Sequence, residues 1–183
     1  MNRRTYAAAI VTAAATLIPA TSARADSPPE RITEAGMVAS CSGSVGDLEA
    51  GAELYQNSSA PDSLNVFIAG PEGLRSSSRD NPEPVGLFTD GTISGESALL
   101  LRGEEASTPA GTATVSGSYA VAGSPTRVHT VVRDDGFIIV STGTNTPLTA
   151  TVSVTYDGTT FALTCDPAFA FDLTTLRQRI GNS

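Results

Sequence analysis

The stretch ATVSVTYDGTTFALTC, residues 150–165, decides the fold class of this 183-residue chain. Two runs of alternating apolar and polar side chains flank Asp157-Gly158, a pair that accepts positive φ at both central positions of a two-residue turn. Such a turn sets the strand register, so we expect Val154 opposite Phe161 and Val152 opposite Leu163. The stretch therefore predicts a β-hairpin with one buried face.

The same register places Cys165 opposite Ala150, on the apolar face of the hairpin. Cys41 is the only other cysteine. Two cysteines near the two ends of a domain, in an oxidising compartment, predict one disulfide bond, and a shared metal ion is the weaker interpretation. We expect the bond between Cys41 and Cys165 to tie the first strand to the last.

The chain between the two cysteines contains further short β-branched or alternating runs, separated by Gly, Pro, Asn and Asp. Alternation is clean from Thr112 to Val121. The runs 128–132 and 137–140 are apolar on both faces around Arg133-Asp134-Asp135-Gly136. This pattern predicts a hairpin in the middle of a sheet covered on both sides, with a turn of two or three residues. The remaining candidate strands are 37–42, 52–56, 63–69, 85–89 and 97–101.

These patterns predict an all-β fold of eight or nine strands, an immunoglobulin-like or similar antiparallel β-sandwich. One helix is expected at the end of the chain. Asp172 is a suitable N-cap, and Leu173, Leu176 and Ile180 form a one-sided apolar stripe, which predicts a short C-terminal helix from about Leu173 to Arg179.

The amino-terminal residues have the composition of a secretory signal peptide. Arg3 and Arg4 precede an Ala-rich apolar run, and Ala23-Arg24-Ala25 supplies small side chains before a cleavage site between Ala25 and Asp26. We therefore expect 1–25 to be a signal peptide, 26–34 a polar, Pro-rich disordered leader and 35–183 a single domain. The mature protein is expected to be secreted and extracellular, with no membrane segment left after cleavage.

Charge limits the classes of partner. Lys+Arg 11 against Asp+Glu 19 gives a formal net charge of −8, and losing Arg3, Arg4 and Arg24 with the leader moves it to −11. A chain this acidic repels nucleic acid and anionic lipid. We expect a monomer whose partner is an unknown protein or a component of the cell envelope.

The sequence offers no recognisable catalytic set. Nucleophilic catalysis by Ser or Cys requires a base, and the single histidine, His129, lies in a predicted strand. The adjacent carboxylates Asp134-Asp135 and Glu104-Glu105 are better explained by turn and loop chemistry. We assign no catalytic residue, no metal ligand and no cofactor. Calcium is the metal that the loop oxygens would suit best, either Asp80, Asn81 and Glu83 or Asp134 and Asp135, but turn and loop chemistry explains these residues better.

The segment Gly70–Pro84 is too polar and too rich in breakers to predict a regular element, so we interpret it as the longest exposed loop. Arg75, Arg79 and Asp80 in it form a possible binding loop. The resulting hypothesis is a secreted, non-enzymatic interaction or envelope-associated protein. The alternatives are a small secreted hydrolase using His129 or a carboxylate pair, and a protease inhibitor that presents this loop.

The placement of one cysteine in the first strand and another at the end of Phe161-Ala-Leu-Thr-Cys165 resembles actinobacterial envelope lipoproteins of the LpqH type. The resemblance covers this layout alone. Their lipid-accepting cysteine has no counterpart here, and the resemblance implies no function for this chain.

Overall fold

The computed structural model describes residues 28–79, 81–82, 84, 86–103 and 106–179, and this part of the chain is all-β, as predicted. Its strands pair antiparallel throughout. The strands are β1 (Glu30–Val45), β2 (Leu48–Asn57), β3 (Ser63–Gly70), β4 (Gly73–Ser77), β5 (Phe88–Thr89), β6 (Thr92–Arg102), β7 (Ser107–Val121), β8 (Thr126–Asp134), β9 (Phe137–Tyr156) and β10 (Thr159–Arg179).

All of these strands belong to one hydrogen-bonded sheet. Its order is β10-β1-β2-β3-β4-β6-β7-β9-β8, with β5 paired to β6. An additional ladder joins β9 to β10, so the pairings from β10 through β1 to β9 form a closed ring of eight strands. Among the described strands, closure leaves β8, β5 and the parts of strands that run past the ring with an unpaired edge, together with the seam between β3 and β6.

Asp-Gly pairs form three of the tight turns. At Asp90-Gly91, Asp135-Gly136 and Asp157-Gly158 both residues have positive φ, the conformation of the favoured two-residue hairpin turn. The predicted pairs Val154–Phe161 and Val152–Leu163 are present. The expected pairing of Ala150 with Cys165 is absent, because the β9–β10 register shifts after Thr164. The turn between β8 and β9, for which the sequence allows two or three residues, has two, because Asp134 pairs with Phe137.

The core lies inside the ring and is built mainly from aliphatic side chains. The largest fully buried side chains are Phe161, Leu54, Ile68, Leu87, Ile93, Leu99, Val66, Val115 and Val154. They come from β2, β3, β6, β7, β9 and β10 and from the segment before β5, so the core depends on closure of the ring.

The predicted disulfide bond between Cys41 and Cys165 is present. The two cysteines are direct partners in the ladder between β1 and β10, and Cys41 is buried. β10 holds an extra residue there, because Ala39 pairs with Ala168 while Cys41 pairs with Cys165. The bond therefore links the first and last strands beside an irregularity in their ladder.

The predicted C-terminal helix is wrong: Leu173–Arg179 forms the last part of β10. A seven-residue helix gains little from its own hydrogen bonds and is marginal in water. As a strand, the segment pairs with β1 on one side and β9 on the other, which uses the backbone groups on both of its edges. Tertiary pairing therefore overrides the local helical pattern.

Two other expectations change. Glu30–Glu34, expected within the disordered leader, begins β1 and pairs with β10. Gly73–Ser77, expected within an exposed loop, forms β4 between β3 and β6. The predicted signal peptide and its cleavage site, Ala25 and Asp26, lie outside the described residues.

Side-chain hydrogen bonds close the seam between β3 and β6 where the short strand β4 ends. The Ser77 hydroxyl accepts from the backbone N–H of Val66 at 2.6 Å and lies 2.7 Å from the Ser97 hydroxyl. The amide of Asn81 donates to Ser97 Oγ and accepts from the N–H of Ala98. These groups take the place of backbone ladder bonds across the seam.

The variant Asn81→Ala removes this bridging amide, and we expect it to lower the free energy of unfolding by about 1–3 kcal/mol, because the Ala98 N–H and the buried Ser97 hydroxyl lose partners. Urea unfolding followed by circular dichroism measures the change. Asn65→Ala, on the exposed face of β3, is the control and should be near neutral. Equal effects of the two substitutions would contradict the role of the seam.

Candidate functional site

The predicted binding-loop residues separate in the structure. Arg75 lies in β4 opposite Ile68 of the core, and its side chain is only 14% exposed. Arg79 lies two residues beyond the end of β4 and is exposed. Asp80 is outside the described residues. Arg75 and Arg79 therefore do not lie together on one exposed loop surface.

Among the described residues, the fold does not bring the candidate catalytic side chains together. His129 is exposed on β8 opposite Thr142, and within the described ranges no side chain hydrogen-bonds to its ring. Asp134 pairs with Phe137 and Asp135 occupies the turn. Glu104, Glu105 and Glu83 lie outside the described residues. Among the residues that are described, no group of three His, Cys, Asp or Glu side chains is placed to hold a metal ion.

The sheet continues past the ring as a four-stranded extension, which we call the arm. It consists of 30–35 of β1, 171–179 of β10, 137–145 of β9 and all of β8. At about 3.4 Å per residue the nine rows of the arm are roughly 27 Å long. Within the described chain, 30–34 pairs only with β10 and β8 pairs only with β9, so the arm has two open edges. The backbone of Ala35 hydrogen-bonds to Ser58 and closes the base of the first edge.

The arm corrects the expectation of a hairpin in the middle of a covered sheet. The hairpin exists, but β8 is the last strand in the sheet order, and Val131 and Val132 are exposed. The apolar residues on both faces of this hairpin therefore lack the covering layers that such a pattern predicts.

One face of the arm is anchored near its base. The ring of Phe171 stacks on Tyr55, with 6.0 Å between ring centroids, and lies against Gly36, where a Cβ atom would be 2.6 Å from Phe171 Cζ. Glu34 accepts hydrogen bonds from Asn57 and from Thr175 on the same face. These contacts fix the direction in which the arm leaves the ring.

The opposite face, which we call the Leu176 face, extends the wall of the core. In β1 the residues alternate from the buried Ala39 out to Arg31, and in β9 from the buried Leu148 out to Val140. The rows of this face, read from β1 to β8, are Ala35-Asp172-Thr144-Arg127, Thr33-Thr174-Thr142-His129, Arg31-Leu176-Val140-Val131 and, without β1, Gln178-Ile138-Arg133.

Outside the ring no described strand lies opposite the Leu176 face. Val131 is 59% exposed and Leu176 39% exposed, while Val140 and Ile138 between them are half-buried. Val121, at the base of the arm, is also exposed. A contiguous exposed apolar surface with a polar rim is typical of an interaction site.

The rim of the Leu176 face is basic in an otherwise acidic protein. Arg31, Arg127 and Arg133 lie on it against the single carboxylate of Asp172, a formal balance of +2, whereas the whole chain carries −8. This separation of charge distinguishes the face from the rest of the surface. The sequence pattern contains a signal for it, since Arg127 and Arg133 are an even number of residues apart in one strand and must share a face.

Comparison with protein-family models, curated proteins and solved structures gives no match to this chain. Among the described residues there is no helix with the length and hydropathy of a membrane span. The candidate site is therefore defined by its own geometry: an uncovered apolar surface with a basic rim, bounded by the open edge of β8.

Proposed function

We propose that this protein is a secreted, non-enzymatic binding protein that captures an extended acidic segment of a partner protein along the open edge of β8. The observation that carries this proposal is the uncovered arm, whose edge strand combines unused backbone hydrogen-bonding groups with exposed apolar and basic side chains. An extended segment that adds to such an edge gains backbone hydrogen bonds, and its alternating side chains select the partner.

Charge complementarity defines the chemistry of the segment. β8 presents Arg127, Val131 and Arg133 toward the Leu176 face and Val128 and Val132 toward the other face. A matching strand places carboxylates on the first face and β-branched apolar residues on the second. Pairing two β8 edges of identical chains around Thr130 would instead set Arg127 opposite Arg133, which is repulsive.

The remaining expectations from the sequence belong to the same proposal. Export from the cell agrees with the disulfide bond, which is stable in an oxidising compartment. The proposal also includes the finer assignment of the fold, in which the closed sheet is flattened in shape and forms the two layers of an immunoglobulin-like β-sandwich. Binding rather than catalysis is supported by the exposed, unpartnered position of His129 within the described chain.

The test uses a fluorescent, capped nonapeptide that alternates valine and glutamate, with a valine-lysine peptide of the same length as its counterpart. We expect fluorescence anisotropy to show binding of the glutamate peptide alone, weakening as salt is added. The double variant Arg127→Glu, Arg133→Glu should reduce that affinity about tenfold or more and confer binding of the lysine peptide. Arg79→Glu, on the exposed segment after β4, is the control and should bind as the unaltered protein does.

Backbone amide shifts in an isotope-labelled sample show where the peptide binds, and the proposal requires them to change along 126–134. Equal binding of the two peptides, or shifts confined to other strands, would exclude strand addition at β8. A dimer in analytical ultracentrifugation that is lost on charge reversal would assign the edge to a second copy instead. Sedimentation with anionic vesicles but not with the peptide would assign it to a membrane surface.

A further inference from the structure

A cleft of about 300 Å³ lies at the opposite end of β9 from the arm, where the turns after β1, β3 and β9 converge. Its floor is apolar and belongs to the core: Phe161 and Ile68 are fully buried, and Leu48 is half-buried. Its walls carry the polar side chains Arg75, Glu72, Tyr156, Asp157 and Thr159, together with Pro71.

Arg75 enters this cleft from β4 because its position in the strand lies opposite Ile68, whose side chain faces the core. Its guanidinium lies 5.8 Å from the centre of the Tyr156 ring, and the Tyr156 hydroxyl donates to the carbonyl of Ala110. Strand register and ring stacking thus hold a cation over an apolar floor.

The hydrogen-bonding capacity of Arg75 is only partly used. Of its five N–H donors, one on Nη2 donates to Glu72 Oε2 at 2.6 Å. The interaction with Tyr156 also favours the charged guanidinium. The side chain of Glu72 is 79% exposed, whereas that of Arg75 is 14% exposed. The hydrogen bond to Glu72 raises the pKa of the guanidinium above its ordinary value, so Arg75 stays charged at any physiological pH.

We propose that this cleft binds a small amphipathic carboxylate, an apolar chain or ring that ends in one carboxylate group. The carboxylate takes the remaining fork of N–H donors on Arg75, which matches the planar geometry of a carboxylate. The apolar part packs on Leu48 and Pro71, above the buried side chains of Phe161 and Ile68. A largely apolar cleft with one fixed charged group is the usual architecture of a small-molecule site.

The carboxylates of Glu72 and Asp157 repel an anionic ligand, and Arg75 attracts it more strongly than they repel it. Glu72 and Asp157 lie at the exposed rim, where water and salt screen their charge. Arg75 lies deeper, where its field is screened less. Glu72 competes for the same cation, so the ligand and Glu72 share Arg75 or the ligand displaces the flexible, exposed Glu72 side chain.

The experiment titrates isotope-labelled protein with sodium hexanoate and follows backbone amide shifts. We expect saturable shifts at residues around the cleft, including Ile68, Arg75 and Phe161. Hexylammonium chloride and hexan-1-ol have the same chain without the carboxylate and should bind at least tenfold more weakly. Arg75→Gln should cause a loss of hexanoate affinity of similar size, and Arg79→Gln, outside the cleft, should leave it unchanged.

A second variant, Glu72→Gln, tests the site without altering Arg75, whose replacement could also disturb the fold. This substitution lies on an exposed turn and removes the competing carboxylate, so hexanoate should bind severalfold more tightly. Unchanged or weaker binding in Glu72→Gln, or equal binding of hexylammonium, would overturn the proposal. The β8 peptide assay is unaffected by either result, because the arm and the cleft lie at opposite ends of β9.

Discussion

Replacing Cys165 with serine should lower the free energy of unfolding by about 2–5 kcal/mol, a large share of the roughly 5–15 kcal/mol that stabilises a domain of this size. The bond closes a loop with a sequence separation of 124 residues, and without it the unfolded chain regains the entropy of that loop. The variant also leaves the buried Cys41 thiol without its partner. The fold of Cys165→Ser should therefore be marginal.

Equilibrium unfolding in urea measures this loss, with the reduced unaltered protein as the matched control. Reduced protein and Cys165→Ser should unfold at similar denaturant concentrations, both well below the oxidised protein. Titration of thiols in the denatured, oxidised protein should find none. Two reactive thiols per chain, or equal unfolding midpoints for the oxidised protein and the variant, would refute the contribution of the bond.

Truncating Phe161 to alanine should cost about 3–5 kcal/mol, because it removes the largest of the fully buried side chains. Phe161 is 0% exposed, pairs with Val154 across β9 and β10, and forms the floor of the cleft. The cavity left behind is lined by strands held on both edges, so relaxation recovers little of the lost contact.

Phe67→Ala is the matched control, since this second phenylalanine is 39% exposed on the outer face of β3. Its loss should cost about 1 kcal/mol or less. Thermal and urea unfolding of the two variants separate the effects. A similar destabilisation by both substitutions would show that Phe161 does not occupy the core.

The local elements of this fold are predictable from the sequence, whereas the way the strands assemble into a ring is not. The 150–165 hairpin was predictable because its alternation and its Asp-Gly turn act over a few residues. The closed ring was not, since the ladders that close it join distant segments whose order no local pattern encodes. The apolar stripe of Leu173 and Leu176 predicts a helix for the same local reason. In β10 the pairing with distant strands places these two residues on opposite faces of the arm.

The candidate sites show the same division. The polar residues around Arg75 in the sequence predict an exposed loop, whereas the pairing of β4 with β3 turns its side chain into the cleft. The apolar pattern of β8 predicts a covered strand, whereas in the described sheet β8 is the last strand in the order. Burial depends on what the rest of the chain places opposite a residue, which a local pattern does not contain.

The ladder between β1 and β10 also constrains biogenesis. Because the two ends of the domain are neighbours in the sheet, an emerging chain has no partner for β1 beyond β2 until nearly all of it has been synthesised. The hairpins with Asp-Gly turns can form early, whereas contacts of such long sequence separation form late. Truncation at either terminus should therefore expose β1 or β10 to pairing with other chains.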